Sequence, residues 1–346
     1  MTIYRVPFLD VFSDESGGNI KTPQSEYLSN GRFPVIDQGK ALIAGYVDDE
    51  SRLCGSGRPA IVFGDHTRRL KYIDFPFCMG ADGVKILRPK VEANLKYLYY
   101  YLKHLPLASA GYDRHFKYLV RTEVVLQPLA EQHRIAAILD QADRLRVKRR
   151  EALAQLDTLA QAIFIEMFGS TNNFKFTTSG IRPFVEASSG KSSKSVLSVD
   201  RTNIPIYGGN GINGWALSAL YEQPVLVFGR VGQYCGNAVI TKGPSWVTDN
   251  AIVIRISDVS KLNEIYVLHA FAGSDFSNRV KHLDLPFINQ SIILDNPIPL
   301  PPLHLQQIFA SRIETIDALK ATNREALSEL DTLFASLQHL AFSGKL

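Results

Sequence analysis

One ten-residue phrase occurs twice in this chain, and its repetition limits the folds that the sequence can adopt. REALAQLDTL spans residues 150–159 and REALSELDTL spans residues 324–333, an offset of 174 positions. At that offset residues 128–168 align with 302–342 without a gap, and 15 of the 41 positions are identical. Self-similarity of this kind indicates an internal duplication, so the fold is expected to contain two equivalent parts.

The stretches between the two copies repeat more faintly. FPVI at 33–36 resembles IPIY at 204–207, and PAIVFG at 59–64 resembles PVLVFG at 224–229. The chain therefore alternates between a variable unit and a repeated segment. We expect four segments, whose ranges are 1–127 for the first globular domain, 128–170 for a central helix, 171–301 for the second globular domain and 302–346 for a C-terminal helix.

Both repeated segments are predicted to be long helices. Residues 128–168 contain no internal proline or glycine, Pro128 stands at the start, and Gly169 follows as a stop signal. Apolar residues recur at spacings of three and four, which is typical of a coiled-coil seam. The predicted seam residues are Ile135, Leu139, Leu153, Leu156, Ile163, Phe309, Ile313, Leu327, Leu330 and Leu337.

The predicted seam is interrupted at the same place in both copies. Arg146 and Arg149 occupy seam positions in the first copy, and Lys320 and Asn323 occupy them in the second. A seam this short requires a partner, and the simplest partner is the other copy. The predicted fold is therefore mixed α/β, with two compact domains joined by an antiparallel helix pair and related by a pseudo-two-fold repeat.

Composition limits the class of protein. The chain has 346 residues, 45% of them hydrophobic, and a formal net charge of +4, which is compatible with a polyanionic partner. No apolar run approaches the length of a membrane span, and the first residues lack the pattern of a secretory signal. Three widely spaced cysteines without a CxxC pair favour a reducing cytoplasm over a structural zinc site.

Catalytic and nucleotide-binding motifs are incomplete in this sequence. Ser189-Gly190-Lys191-Ser192 resembles the end of a P-loop, but Val185 stands where the first glycine would be required. An adenine-methylating motif and a paired-histidine metal motif are likewise not found in the sequence, and the glycine-rich stretch at 208–211 follows a short strand-like run, which fits a turn. We therefore expect no metal ion, methyl donor or ATP to be bound by this chain itself.

The entrance to the first helix carries a family resemblance. Pro128-Leu129, then Glu131-Gln132 and Ile135, leads from a variable domain into a leucine-rich helix. This pattern resembles the specificity subunit of type I restriction–modification systems, and the order of domain, helix, domain and helix covers the whole chain. The second copy follows the pattern less closely, because Leu305 stands where the family usually has glutamate.

This resemblance implies a non-catalytic, cytoplasmic subunit. Its two target-recognition domains would each read one half of a split site in double-stranded DNA. The helices would hold these domains apart and bind two methyltransferase (M) subunits, which use S-adenosylmethionine. Restriction (R) subunits, which use ATP and Mg²⁺, would join that complex. No cofactor is expected in this chain.

Residues that contact DNA are expected on polar loops with basic side chains, because base edges and phosphates are reached from loops. The densest such loops follow the strand-like AIVFG and VLVFG runs and precede the first helix. The candidates in the first domain are His66, Arg68, Arg69, Lys71, Arg114, His115, Lys117 and Tyr118. Those in the second domain are Asn210, Asn213, Arg230, Gln233, Tyr234, Asn237, Arg279, Lys281 and His282.

Two other functions remain open at this point. A duplicated coiled-coil scaffold whose variable domains bind proteins would have the same organisation, and a stand-alone methyltransferase or nuclease is a more distant alternative. The basic cluster at residues 144–150 is also open to several interpretations. It fits a solvated helix face, a docking surface for a partner subunit, or a contact with the DNA between the half-sites.

Overall fold

The protein folds into two compact units. The computed structural model describes residues 4–54, 57–107, 113–170, 173–232, 235–272 and 287–346. The first unit combines residues 1–150 with 325–346, and the second comprises residues 151–324. Both boundaries lie between the arginine and the glutamate of the repeated phrase. Each long helix therefore gives one half to each unit, whereas the sequence predicted separate helical segments.

The first unit is built from short strands and helices. Its strands are β1 (Tyr4–Pro7), β2 (Phe12–Asp14), β3 (Phe33–Ile36), β4 (Gly45–Val47), β5 (Ala60–Gly64), β6 (Leu70–Ile73), β7 (Cys78–Met79), β8 (Val84–Pro89) and β9 (Glu123–Leu126). Its helices are α1 (Phe8–Val11), α2 (Leu95–His104), α3 (Phe116–Leu119), the first half of α4 (Leu129–Phe168) and the second half of α7 (Leu303–Phe342), with single 3₁₀ turns at Gln24–Glu26 and Glu50–Arg52.

The second unit has the same kinds of elements, with twelve described strands where the first has nine. Its strands are β10 (Gly169–Ser170), β11 (Asn173–Phe174), β12 (Thr178–Ser179), β13 (Val185–Ser189), β14 (Leu197–Ser198), β15 (Pro205–Gly208), β16 (Gly211–Ala216), β17 (Leu226–Gly229), β18 (Ala238–Ile240), β19 (Trp246–Val247), β20 (Ala251–Ile256) and β21 (Ile298–Pro299). Its helices are α5 (Glu264–Ala272), α6 (Gln290–Leu294), the second half of α4 and the first half of α7, with a 3₁₀ turn at Arg182–Phe184.

The two units share a core sheet topology, to which the second unit adds β14 and the β10–β11 pair. In the first, the strand orders are β2-β8-β5-β6, β4-β3-β7 and β1-β9. In the second, they are β13-β20-β17-β18, β14-β16-β15-β19 and β12-β21. The parallel pair β3–β7 has its counterpart in β15–β19. The prediction of two mixed α/β domains with an internal repeat is confirmed.

The central strand of each larger sheet is buried on both faces. Every residue of β5 (AIVFG) and of β17 (LVFG) is buried. Ile61 and Phe63 face the core that contains α2 and the long helices, while Val62 faces a second core against the three-stranded sheet. A strand with both faces covered needs a continuous apolar run rather than an alternating one. The two similar phrases in the sequence are therefore the centres of the two domains.

The long helices begin and end close to where the sequence predicts. Pro128 and Pro302 precede α4 and α7 by one residue, where proline's missing N–H would have no helical partner in any case. Gly169 directly follows α4 with φ of 88°, a left-handed conformation that glycine adopts without steric cost. Within the described ranges, no helix combines the length and apolar character that a bilayer span requires.

In the first unit the two helix halves run antiparallel within one hydrophobic core. Ile135 and Leu139 of α4 are fully buried in the same core as Phe334 and Phe342 of α7. The ring of Phe342 lies 5.5 Å from that of Tyr97 on α2. The helices are therefore held by the domain as much as by each other.

The second unit has the equivalent arrangement. Phe164 and Phe168 of α4 share a core with Phe309 and Ile313 of α7. The ring of Phe168 lies 5.0 Å from that of Tyr266 on α5, which matches the contact between Phe342 and Tyr97. Burial of these aromatic side chains explains why each helix half groups with its globular domain.

The predicted seam is only partly a helix–helix seam. Ile135, Leu139, Phe309 and Ile313 are buried, but in the cores of the two domains. The other predicted seam residues are half-buried, namely Leu153, Leu156, Ile163, Leu327, Leu330 and Leu337. Of these, Leu156 and Ile163 also pack against the core of the second unit, and Leu337 packs against that of the first.

Charged residues at the seam interruptions pair with the repeated phrase itself. In the first unit Arg146 Nε lies 2.5 Å from Asp331 Oδ1, and in the second Lys320 Nζ lies 2.9 Å from Asp157 Oδ1. Arg146 and Lys320 are equivalent at the offset of 174, and so are Asp331 and Asp157. The aspartate of LDTL is therefore repeated because each copy pairs with a cation on the other helix.

A second matched contact joins each helix entrance to its domain. Gln132 Oε1 accepts a hydrogen bond from the Asn94 N–H (2.9 Å), and Gln306 Oε1 accepts one from the Asn263 N–H (3.0 Å). The two asparagines cap α2 and precede α5 in the same way. The glutamine shared by the two copies thus orients the helix that packs on each central sheet.

Candidate nucleic-acid interface

The turn between β5 and β6 in the first unit is anchored by a buried aspartate. Asp65 is 3% exposed and its carboxylate accepts a hydrogen bond from the Phe116 N–H at 2.7 Å. The His115 N–H donates to the backbone carbonyl of Asp65 at 2.8 Å. The two basic stretches predicted from the sequence, 66–71 and 114–118, are therefore adjacent in this unit.

Gln38 joins three loops at this edge of the first unit. Its side-chain oxygen accepts from the His66 N–H at 3.2 Å, and its Nε2 donates to the carbonyl of Asp82 at 3.1 Å. The Thr67 hydroxyl donates to the backbone carbonyl of Gln38 at 2.7 Å. The turns after β3, after β5 and before β8 therefore meet, with polar side chains from all three at one surface.

Arg68 has an unusual backbone conformation in this turn. Its φ is 58°, the left-handed region that favours glycine, and it is the one non-glycine residue with positive φ in the described part of the chain. Its guanidinium donates to the carbonyl of Leu107 at 2.9 Å. A side chain in this region costs about 1–2 kcal/mol, and such strain is concentrated at functional sites.

An open cationic groove of about 380 Å³ lies beside this turn. Its basic lining residues are Lys40, Arg68, Arg69, Lys71 and Lys103, alongside leucines at 70, 102, 105 and 107. Lys40, Arg68 and Arg69 are exposed at the rim. Lys71 and Lys103 are paired with Asp37 and Asp143, so it is the exposed residues at the rim that present positive charge to an anionic ligand.

Two predicted DNA contacts occupy interior positions instead of the loop surface. Lys71 lies in β6 with 7% of its side chain exposed, and its Nζ lies 3.4 Å from Asp37 Oδ1. Burial lowers the pKa of Lys71, and Asp37 opposes that shift. His115 is 1% exposed, with its Nδ1 3.0 Å from the carbonyl of Asp65. The structure gives both side chains contacts within the unit because the sheet and α3 cover them.

The segment before α4 brings further charge to the same edge. Arg114 and Lys117 are exposed, and the Tyr118 hydroxyl donates to Asp113 at 3.0 Å. The Lys117 ammonium, 2.5 Å from the Asp113 carboxylate, lowers the pKa of Asp113 to about 2. Arg114, Lys117 and Tyr118 remain predicted contacts, of which Arg114 extends most freely from this turn.

In the second unit two glycines bring the equivalent turns together. A Cβ added to Gly209 would lie 3.0 Å from Gly229 Cα, so the turn after β15 packs directly on the end of β17. Asn210 is exposed on the first of these turns, Asn213 is exposed on the adjoining strand β16, and Arg230 is exposed on the second turn. The Arg230 N–H donates to the Asn250 carbonyl at 3.1 Å, as Asp65 N–H does to Gly83 at 2.7 Å in the first unit.

The second unit also has an open polar groove, of about 590 Å³. Its lining includes Ser192, Ser193 and Lys194 from the serine-rich loop, with Asn210 and Asn213. Asn237 is exposed further along the turn between β17 and β18. The remaining candidates lie outside the described residues and stay predictions, namely Gln233, Tyr234, Arg279, Lys281 and His282.

Several residues at these surfaces were not predicted from the sequence. Gln38, Lys40 and Asp82 in the first unit follow the strand phrase FPVI or precede β8. The internal repeat contained a usable signal for Gln38 and Lys40, because Asn210 lies on the equivalent turn after IPIY. Lys103 had no comparable signal, since its position on α2 approaches the groove only through packing. Among the described residues, no three His, Cys, Asp or Glu side chains are grouped as a metal site requires.

Comparison with known proteins agrees with this architecture. The model of the type I restriction modification DNA specificity domain matches residues 170–332. The EcoprrI specificity subunit of Escherichia coli is 24% identical over 115 residues, which are 33% of this chain and 28% of that protein. The EcoR124I/EcoR124II specificity subunit of E. coli is 31% identical over 91 residues, which are 25% of this chain and 22% of that protein. The matched segments thus span less than a third of these relatives.

A solved structure extends the likeness to the whole fold. The S subunit of the type I restriction–modification system of M. genitalium superimposes with a TM-score of 0.72 at 17% identity, covering 99% of this chain and 96% of that one. The two-unit arrangement with a duplicated helix entrance is thus a fold that such subunits have. Residues 170–332 of this chain therefore match a type I restriction modification DNA specificity domain, and the chain as a whole has the fold of a solved type I restriction–modification S subunit.

Proposed function

We propose that this chain is the non-catalytic subunit that gives a type I restriction–modification enzyme its DNA specificity. Each unit reads one half of a bipartite site in double-stranded DNA. One observation carries the proposal. The two units have the same core sheet topology, but the loops at the equivalent edge of each unit expose different polar side chains. A duplicated frame with unlike polar loops suits a reader of two unlike half-sites.

The chemistry of the loops supports DNA as the ligand. The groove in the first unit has an exposed arginine pair and Lys40, which suit guanine edges and phosphates. The second unit presents Asn210, Asn213 and Arg230, and asparagine pairs with adenine through two hydrogen bonds. The two units are thus equipped for different base sequences.

The proposed partners are two methyltransferase subunits bound along the long helices, with restriction subunits joining them. S-adenosylmethionine, ATP and Mg²⁺ are assigned to those partners, in keeping with the incomplete nucleotide motifs of this chain. Its relatives are specificity subunits of restriction enzymes. We place the complex in the cytoplasm, where the free cysteines Cys54, Cys78 and Cys235 stay reduced.

A domain exchange tests this function. Residues 171–301 are replaced with the corresponding domain of another specificity subunit, and the hybrid is co-expressed with the methyltransferase subunit. Sequencing of methylated adenines is expected to show one half-site changed and the other retained. A change in both halves, or in neither, contradicts independent reading by the two units.

Salt dependence separates this function from that of a protein-binding scaffold. A reader that grips phosphates releases counterions, so its affinity for DNA falls steeply as salt is raised. Titration of the purified chain with duplex DNA at several salt concentrations is expected to give a linear decrease of log K with log salt. Absence of DNA binding at low salt, both alone and with the methyltransferase, favours the scaffold.

A further inference from the structure

The second unit has an apolar groove where the first unit is filled by its own side chains. The groove has a volume of about 350 Å³ and lies between the second half of α4, the β10–β11 hairpin and α5, close to Lys320. Ala160, Phe164, Ile165 and Phe174 provide its apolar lining. Ile165 is 44% exposed, which is high for a large apolar side chain beside a pocket.

The internal repeat identifies the side chains that occupy the equivalent place in the first unit. Because Asn94 and Tyr97 correspond to Asn263 and Tyr266, α2 and α5 align at an offset of 169 residues. The long helices align at 174. Three groove residues then have larger counterparts in the first unit, with Phe334 for Ala160, Tyr100 for His269 and Lys103 for Ala272.

In the first unit these three side chains form one packed cluster. The Tyr100 and Phe334 rings are 5.9 Å apart, and Lys103 Nζ lies 5.9 Å from each ring centroid. Lys103 Nζ also lies 3.7 Å from Asp143 Oδ2, and the Asp143 side chain is 21% exposed. The ammonium is thus held between two aromatic faces and a carboxylate.

The second unit retains the carboxylate but has alanine in place of that cation. Asp317 is the counterpart of Asp143, and its side chain is 67% exposed, 3.9 Å from Lys320 Nζ. Asp157, also at the groove, is 66% exposed and is paired with the same lysine. Two carboxylates therefore share one described ammonium. Asp157 and Lys320 line the groove, and Asp317, on the far side of Lys320, leaves an excess of negative charge beside it.

We propose that this groove binds a lysine or arginine side chain of the methyltransferase subunit, seated where Lys103 sits in the first unit. The incoming cation lies beside Asp317, and its alkyl stem packs on Ala160, Phe164 and Ile165. Two observations favour this occupant. The carboxylates beside the groove attract a cation, and the equivalent place in the first unit is occupied by the Lys103 side chain. The two equivalent helix regions consequently differ, and one methyltransferase copy depends on this groove. The inference rests on the proposed function for the identity of the partner.

Two exposed substitutions test the proposal with little effect on folding. Ala272→Lys supplies the missing cation from within the chain, and Asp317→Asn removes the carboxylate that receives it. In the full complex each is expected to weaken binding of one of the two methyltransferase copies by roughly tenfold, about the strength of a charge-assisted hydrogen bond. Glu314→Gln, one turn before Asp317 and also exposed, is the matched control and is expected to bind like wild type.

A photo-crosslinking amino acid at position 272 identifies the occupant directly. The expected product is a crosslink to a lysine- or arginine-containing peptide of the methyltransferase subunit, mapped by mass spectrometry. Crosslinks within the chain or between two copies of it overturn the proposal, as does unchanged methyltransferase affinity in both variants. If the wild-type chain binds no methyltransferase, the partner named under the proposed function is wrong and the groove assignment falls with it.

Discussion

The two units bury different side chains at the same point of the same frame. In the first unit Lys71 on β6 pairs with Asp37 in the turn after β3. In the second unit the equivalent positions, judged from strand register, are Val239 and Gly208. Val239 packs instead against an apolar core. The shared topology therefore does not depend on this ion pair, which is present in the first unit and replaced in the second.

The first residue of the turn after the central strand also differs between the two units, in its charge and in its burial. Asp65 of the first unit is buried and anchors α3, whereas Arg230 at the equivalent position of the second unit is exposed. Both residues nevertheless make the same backbone contact, because Asp65 and Arg230 accept from the N–H of His115 and of Ile288. Backbone hydrogen bonds thus hold the loops in place, while the side chains at the same positions are free to differ between the two units.

Lengthening both long helices is expected to have the largest effect. Ion pairs tie α4 to α7 on both sides of Arg150, so an insertion in α4 alone puts the helices out of register. Four residues inserted after both Arg150 and Arg324 add about 6 Å and a little over one turn. At about 3.4 Å per base pair, the gap between half-sites should grow by one or two base pairs.

Matched insertions of two residues rotate one end by about 200° and are expected to abolish recognition. Sequencing of methylated sites measures the outcome in both cases. An unchanged gap after the four-residue insertion means that the helices do not set the separation of the half-sites.

Breaking the buried ion pair sharpens the comparison between the two units. Lys71→Met leaves the Asp37 carboxylate without its ammonium and is expected to lower the free energy of unfolding by about 2 kcal/mol. Lys71→Val with Asp37→Gly copies the second unit and should lie within about 1 kcal/mol of wild type. Urea denaturation of the three proteins provides the comparison. Equal losses in the single and double variants show that the frame of the first unit requires this pair.

Arg68 separates backbone strain from DNA reading. Arg68→Ala and Arg68→Gly both remove the guanidinium, and both are expected to weaken binding to the matched site by about 1–3 kcal/mol and relax one base position. Glycine suits φ of 58°, so the glycine variant should be the more stable of the two by about 1 kcal/mol. Binding titrations and thermal unfolding measure the two effects, and equal DNA affinity in wild type and both variants places the reading surface elsewhere.

Lys40 tests the role of a phosphate contact. Lys71 is buried, so we expect an exposed lysine such as Lys40 to make that contact instead. Lys40→Ala is expected to weaken binding to all DNA sequences alike and to reduce the slope of log K against log salt by about one. Loss of preference at a single base position in this variant contradicts a phosphate contact.

The smallest effect on stability is expected from removing the paired aspartates of the repeated phrase. Asp331→Asn removes the partner of Arg146, which is 15% exposed and also lies over the Phe334 ring at 4.2 Å. Asp157→Asn removes the partner of Lys320, but Asp157 itself is 66% exposed. We expect losses of about 1 kcal/mol and about 0.5 kcal/mol in the free energy of unfolding. The reverse order indicates that exposure does not decide the strength of the two pairs.

The sequence by itself determined the duplication, the two long helices and the two central strands. These features are written in local patterns, since helix formers without proline or glycine and continuous apolar runs act over neighbouring residues. The helix bounds agree with the prediction to within four residues for the same reason. The turn after each central strand carries an exposed arginine, Arg68 in the first unit and Arg230 in the second, and the DNA contacts assigned to these turns stay predictions.

Only the tertiary structure decided which helix half belongs to which unit and which cations reach solvent. Lys71 meets Asp37 across 34 positions, and Arg146 meets Asp331 across 185. Neither pairing leaves a local signal, because it depends on strand register and on the packing of helices against domain cores. The groove beside Asp317 is likewise a product of packing, since it arises from small side chains on two separate helices where the first unit has large ones. Local preference selects the elements, and burial of distant apolar side chains decides what each charged residue meets.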